Sequence, residues 1–136
     1  MVRIETVSVA ALFFGGITMK ELAQNIRRGL ATEGVTEACE VWGACREGGV
    51  VIANVVGLAL IGAVGKERAI RMMEEAFDES VLGTEDGSRT REVLEVLGLT
   101  DVSQTEDLAA RHIEDASASF IADELESGRL QLAVVR

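Results

Sequence analysis

Proline and tyrosine do not occur in this chain, and histidine occurs once, at His112. Without proline no helix is kinked by a ring that cannot donate a hydrogen bond, and turns fall to the 14 glycines, which reach backbone conformations that other residues avoid. Aromatic residues make up only 4% of the chain, so its core has to be assembled from Val, Leu, Ile, Ala and Met. Two cysteines, Cys39 and Cys45, are too few for a disulfide framework and read as reduced thiols of a cytoplasmic protein. Basic residues are scarce: 13 Lys and Arg stand against 23 Asp and Glu, a formal charge of -10. Affinity for nucleic acid comes largely from Lys and Arg that displace counterions from phosphate. The inner face of a membrane is also anionic. The charge therefore disfavours both surfaces and leaves small molecules, cations and other proteins.

Apolar material is plentiful, at 48% of residues. A chain of 136 residues is close to the commonest domain size and can bury about two thirds of its unfolded surface. One globular domain over 1–136 is expected. Two apolar stretches bear on targeting. Val7 to Met19 follows Glu5, which is wrong for a signal peptide, and no small-residue cleavage pattern comes after it. Gly48 to Gly65 carries no charge in 18 positions, but it reaches that length only by counting Gly48, Gly49 and Asn54. A spanning helix wants about 20 predominantly apolar residues, so this run reads as a buried core helix entered from a strand.

Val2 to Val9 alternates and is rich in β-branched residues, which predicts a strand; Ala10 to Phe14 continue as buried chain until Gly15-Gly16. Thr18 and Glu21 form a capping box for a helix to about Thr32, with Leu22, Ile26, Gly29 and Leu30 on one face and Gly34 placed to end it. Glu40 to Ile52 predicts a hairpin: Glu40 to Cys45 as one arm, Glu47-Gly48-Gly49 as the turn and Val50 to Ile52 as the return. Asn54 is an N-cap for a helix from Val55 to Val64 that is apolar all round, with Gly57, Ala59, Gly62 and Ala63 allowing close approach.

An amphipathic helix from Lys66 to about Asp78 follows, its stripe made of Ile70, Met73 and Phe77. Glu79 to Ser88 reads as a loop, Arg89 to Leu97 as a short helix closed by Gly98. Ser103 and Glu106 repeat the capping-box pattern and open a helix with Leu108 and Ile113 inward; Ser117 to Glu126 is a further helix with Phe120, Ile121 and Leu125 inward, ended by Gly128. Leu130 to Val135 is β-prone and could pair with the N-terminal strand.

Two blocks carry a resemblance. Asn54-Val55-Val56-Gly57-Leu58 follows a hairpin and starts a buried helix; His112-Ile113-Glu114-Asp115 precedes Ile121-Ala122-Asp123-Glu124-Leu125-Glu126. This arrangement resembles a scattered group of small phage and bacterial proteins of unknown function. Those carry a hairpin running into a Cys-Ala-Leu-Gly-Ala segment, with Asn54 here where the cysteine would be, and a His-Leu-Asn-Asp and Ile-Ala-Asp-Trp-Leu-Glu tail. The resemblance implies a mobile-element or accessory protein and brings no activity with it.

Few constellations could carry chemistry. A histidine-based triad needs His112 beside a nucleophile, for which Cys39 and Cys45 are the candidates. Cys39, Cys45 and His112 make three zinc ligands at most, where a structural site wants four. Gly57 to Gly62 has phosphate-loop spacing, but Ala63 stands where Lys is required. The loop around Glu79, Glu85 and Asp86 lacks the register of a calcium loop. Thr105 to Leu130 has the cadence of a helix-turn-helix, yet its second helix carries Asp123, Glu124 and Glu126 and no Lys or Arg.

The fold expected is α+β and predominantly helical: five or six helices, a small β-hairpin and β-prone termini. The function expected is non-catalytic: an accessory protein that binds another protein, as a homodimer or with a different partner. It uses no cofactor and no metal. A regulator derived from a helix-turn-helix and a small cysteine-dependent enzyme stand as alternatives. Cys39, Trp42, Cys45 and His112 are the candidate functional residues.

Overall fold

The computed structural model describes residues 18–81, 87–115 and 117–132. Within them are six helices and a three-stranded sheet: α1 (Met19–Ala31), β1 (Val35–Glu37), β2 (Ala44–Glu47), β3 (Val50–Ala53), α2 (Val55–Val64), α3 (Lys66–Val81), α4 (Ser88–Leu97), α5 (Val102–Asp115) and α6 (Ala118–Ser127). The chain is α+β and predominantly helical. No helix among the described residues is long and apolar enough to cross a membrane.

The middle of the uncharged run, Ala53 to Ile61, becomes the interior, while Gly48 to Val50, Ala63 and Gly65 are exposed. Val55, Val56, Leu58, Ala59, Leu60 and Ile61 of α2 are all buried, so α2 has no polar face and has to be covered by its neighbours. Asn54 starts it, its side-chain oxygen accepting from the Gly57 N–H at 3.0 Å. α1 supplies the principal cover. The Thr18–Glu21 capping box closes its N-terminus, and Leu22, Ala23, Ile26 and Gly29 face inward. The two helices cross with their backbones in contact. A Cβ at Gly62 would lie 2.7 Å from the Asn25 carbonyl carbon and closer still to its oxygen; one at Gly29 would lie 2.9 Å from the Leu58 Cα. Carbon atoms pack best about 3.5–4.0 Å apart, so only glycine fits on either side.

The sheet has the order β1-β3-β2. β2 and β3 form the expected hairpin, Cys45 pairing with Ile52 and Glu47 with Val50. Its first arm is shorter than expected, because Gly43 adopts φ +72° and residues 39–43 make turns and bends instead of strand. The close approach of Gly57 explains that bend: a Cβ there would strike the Gly43 backbone. β1 pairs in parallel with β3, Glu37 opposite Ala53. Three residues, Val-Thr-Glu, are too short for alternation to stand out.

Several expectations are corrected. The loop predicted from Glu79 to Ser88 is helical as far as Val81 and helical again from Ser88. Phe77 is 61% exposed, Ile113 63% and Phe120 47%. On α3 Ile70 is buried as expected, joined by Ala69 and Met72, and Met73 packs against the core; on α5 Leu108 is buried as expected, joined by Gln104, Thr105 and His112. Ile113 and Phe120 each lie next in sequence to a residue that is buried, His112 and Ile121. Leu130 and Leu132 are buried but form no strand; the Leu130 N–H turns back to the Glu124 carbonyl at 3.0 Å. The N-terminal strand, Gly15-Gly16 and residues 133–135 lie outside the described residues.

The start of α5 is also displaced from the expected box. The Asp101 carboxylate accepts from the Ser103 N–H at 2.9 Å and from the Ser103 hydroxyl. Gln104 reaches back to the Thr100 N–H at 2.7 Å and the Asp101 N–H at 3.1 Å. The capping pair is thus Asp101 with Gln104, two residues earlier than Ser103 with Glu106. Removing Gln104 by Gln104→Ala should cost about 1 kcal/mol in denaturant unfolding, while Glu106→Ala stays within about 0.5 kcal/mol of the parent. Hydrogen bonds from Ser103 hold the Asp101 carboxyl below its ordinary range. Its contribution to stability is therefore present above the ordinary carboxylate range and is lost as pH falls through the lowered folded value.

A buried Glu–His cap shared by two helices

His112 is 1% exposed. It reaches the interior because α5 repeats Gln104, Leu108 and His112 at four-residue spacing, which keeps all three on one face. Its Nδ1 accepts from the Val55 N–H at 3.0 Å, so Nδ1 carries no proton and the ring is the Nε2–H tautomer. Nε2 lies 2.5 Å from the Glu37 carboxylate and donates to it. The same Glu37 oxygen accepts from the Ala118 N–H at 2.7 Å.

These contacts solve one problem twice. The first amides of any helix have no partner within it. In α2, Asn54 serves the third amide, that of Gly57, and His112 serves the first, that of Val55. In α6, Ser117 serves the third amide, that of Phe120, at 3.1 Å, and Glu37 serves the first, that of Ala118. Each helix is capped once by its own sequence and once by a side chain from elsewhere in the fold. The positive end of the α6 dipole favours the Glu37 carboxylate as well. Glu37 and His112 thereby tie β1, α2, α5 and α6 at one point.

Beside this point is an open pocket of about 260 Å³ lined by Glu37, Ala38, Cys39, Glu40 and His112. Of the sequence candidates, Cys39 and His112 line it together. Trp42 and Cys45 do not. Trp42 is 50% exposed in the bend before β2, and Cys45 is a free, exposed thiol on that edge strand. For His112 to take a proton from a thiol it would need a free lone pair, and its only lone pair is occupied by Val55. Its one proton is held by Glu37. The arrangement is a structural brace in which general-base chemistry has no place to act. Among the described residues no three His, Cys, Asp or Glu side chains are placed to hold a metal ion.

Glu37 was not among the residues singled out from the sequence. Nothing in Val35-Thr36-Glu37 distinguishes that carboxylate from the other acids. His112 was legible as a lone histidine, and its spacing from Leu108 was the signal that it points inward.

Some of the outer charges are paired. Arg27 of α1 binds Asp123 and Glu126 of α6, both at 2.7 Å. Arg46 of β2 binds Glu67 of α3, and Arg129 binds Glu124 at 2.6 Å. Exposed pairs of this kind contribute little stability, but they decide what α6 can present. Compared with protein-family models, curated proteins and solved structures, the chain matches none.

Proposed function

We propose that this chain is a non-catalytic accessory protein that works by binding another protein. One observation carries the reading. Every aromatic residue among the described ones, Trp42, Phe77 and Phe120, stands about half exposed or more, while the apolar core formed by the described residues is aliphatic. Aromatic side chains are the largest apolar groups a fold can bury, and they are enriched among the anchors of protein interfaces. Leaving all three outside while filling the interior with Leu, Ile, Val and Ala suits contacts made with another chain.

The alternatives are weaker on particular grounds. A cysteine-dependent enzyme built on His112 would have to release that ring from both Val55 and Glu37. A helix-turn-helix regulator has α5 and α6 in sequence, but α6 turns Ile121, Ala122 and Leu125 inward and commits Asp123 and Glu126 to Arg27. No base on α6 faces a phosphate. Encoding by a mobile element remains what the sequence resemblance implies.

A photo-crosslinking amino acid placed at 42, 77 or 120 in cells of the source organism should yield discrete heavier adducts, with the same probe at exposed Ser88 giving none. Equal labelling at all four sites, or none at the three aromatic ones, would overturn the proposal.

A further inference from the structure

α5 is dressed inside out. It buries Gln104, Thr105 and His112 and leaves Ile113 63% exposed, more than any other large hydrophobic among the described residues. At 3.6 residues per turn, Glu106, Ala110 and Ile113 fall within about 60° of arc, and Asp107 and Glu114 flank them within about 120°. Arg111 lies at the far margin of the exposed arc. The outward face is therefore an apolar strip beside three carboxylates.

Elsewhere among the described residues some exposed acids are paired and others, Glu33, Glu47 and Glu95 among them, are as unpaired as these three, but none of those others shares a helix face with Ile113. Glu67, Asp123, Glu124 and Glu126 each meet an arginine. Glu106, Asp107 and Glu114 are exposed and make no ion pair among the described residues. No ion pair neutralises these three; Arg111, four residues after Asp107 and three before Glu114, is the single cation beside them on α5.

We propose that the outward face of α5 docks a basic amphipathic helix of a partner protein; this rests on the protein-binding reading above and adds to it a surface on α5 and a partner chemistry. Charge complementarity selects the occupant. A second copy, meeting this face with the same face, would set three carboxylates against three others across a two-fold axis. Nucleic acid brings the same sign. A helix with Lys or Arg beside Leu or Ile offers both what the acids lack and what Ile113 needs, and an exposed helical ridge accepts another helix in its grooves.

The test uses the full chain and an amphipathic helical peptide of leucine and lysine, with a leucine and glutamate peptide as comparison. The lysine peptide should bind, and its affinity should fall about tenfold as salt rises toward ~0.3 M. Binding should weaken about tenfold in Glu106→Gln/Asp107→Asn/Glu114→Gln and again in Ile113→Ser, with circular dichroism unchanged. The variant Glu33→Gln/Glu47→Gln/Glu95→Gln removes the same charge from other exposed positions and should bind within about twofold of the parent. Equal weakening by both triple variants would show attraction to the acidic surface at large and overturn the proposal. So would binding that ignores Ile113→Ser, or self-association of the chain through Ile113. If the α5 variants bind like the parent while crosslinks at Trp42 and Phe77 persist, the α5 surface fails and protein binding stands. Loss of the crosslinks themselves is failure of the broader reading.

Discussion

His112→Ala should unfold at markedly lower denaturant than the parent, with a loss of about 3–5 kcal/mol. The substitution removes a fully buried ring and leaves a cavity. It strips the Val55 N–H of its acceptor where water is excluded. It also takes a donor from the Glu37 carboxylate. Native domains hold about 5–15 kcal/mol in all, so this is a large share for a residue that performs no chemistry. Glu37→Gln keeps an acceptor oxygen for both His112 and Ala118 and loses only the charge, and should cost about 1–2 kcal/mol. The double variant Glu37→Gln/His112→Ala should cost less than the sum of the two, since one network is broken once. Urea titrations of the four proteins measure it; strict additivity would show that the two side chains act separately. A histidine serving only a reaction would leave the stability of all four nearly equal.

The second large effect is expected where α1 and α2 cross. Gly62→Ala should lower stability by about 3 kcal/mol, the upper range of overpacking, and the melting temperature by roughly 10 °C. The added methyl meets the Asn25 carbonyl, a backbone group that cannot swing aside as a side chain would. Gly29→Ala on the facing helix meets Leu58 in the same way and should behave alike. Gly49→Ala is the comparison. That position has open space around it and no positive φ, and the substitution should be neutral within about 0.5 kcal/mol. Calorimetry on the three variants checks the order; equal melting points for Gly62→Ala and Gly49→Ala would refute backbone contact at the crossing.

The elements that were legible in the sequence share one property: their signals are local. Thr18 with Glu21, Asn54 before an uncharged run and Gly98 after Leu97 each act within a turn or two, and each sits where expected. What was not legible depends on distant chain. Ile113 and Phe120 look like core by hydropathy, and Gln104 and His112 look like surface. The phase of α5 is decided by Glu37 and Val55, which lie 75 and 57 positions away from His112. The three-residue β1 exists because β3 offers it an edge, with no β pattern of its own to announce it. Of the candidate site the sequence offered His112 and Cys39 as separate candidates, without their proximity; the carboxylate that defines its purpose was not visible.

That long separation has a consequence for the nascent chain. α1 precedes α2, so the glycine crossing can close as soon as α2 clears the ribosome. The Val55 amide must wait for a partner 57 residues downstream, which at about 5–20 residues per second is roughly 3 to 11 seconds of translation. Throughout that interval α2 is held by α1, by the hairpin and, as they emerge, by α3 and α4, and the arrival of His112 supplies the acceptor that its first amide still lacks.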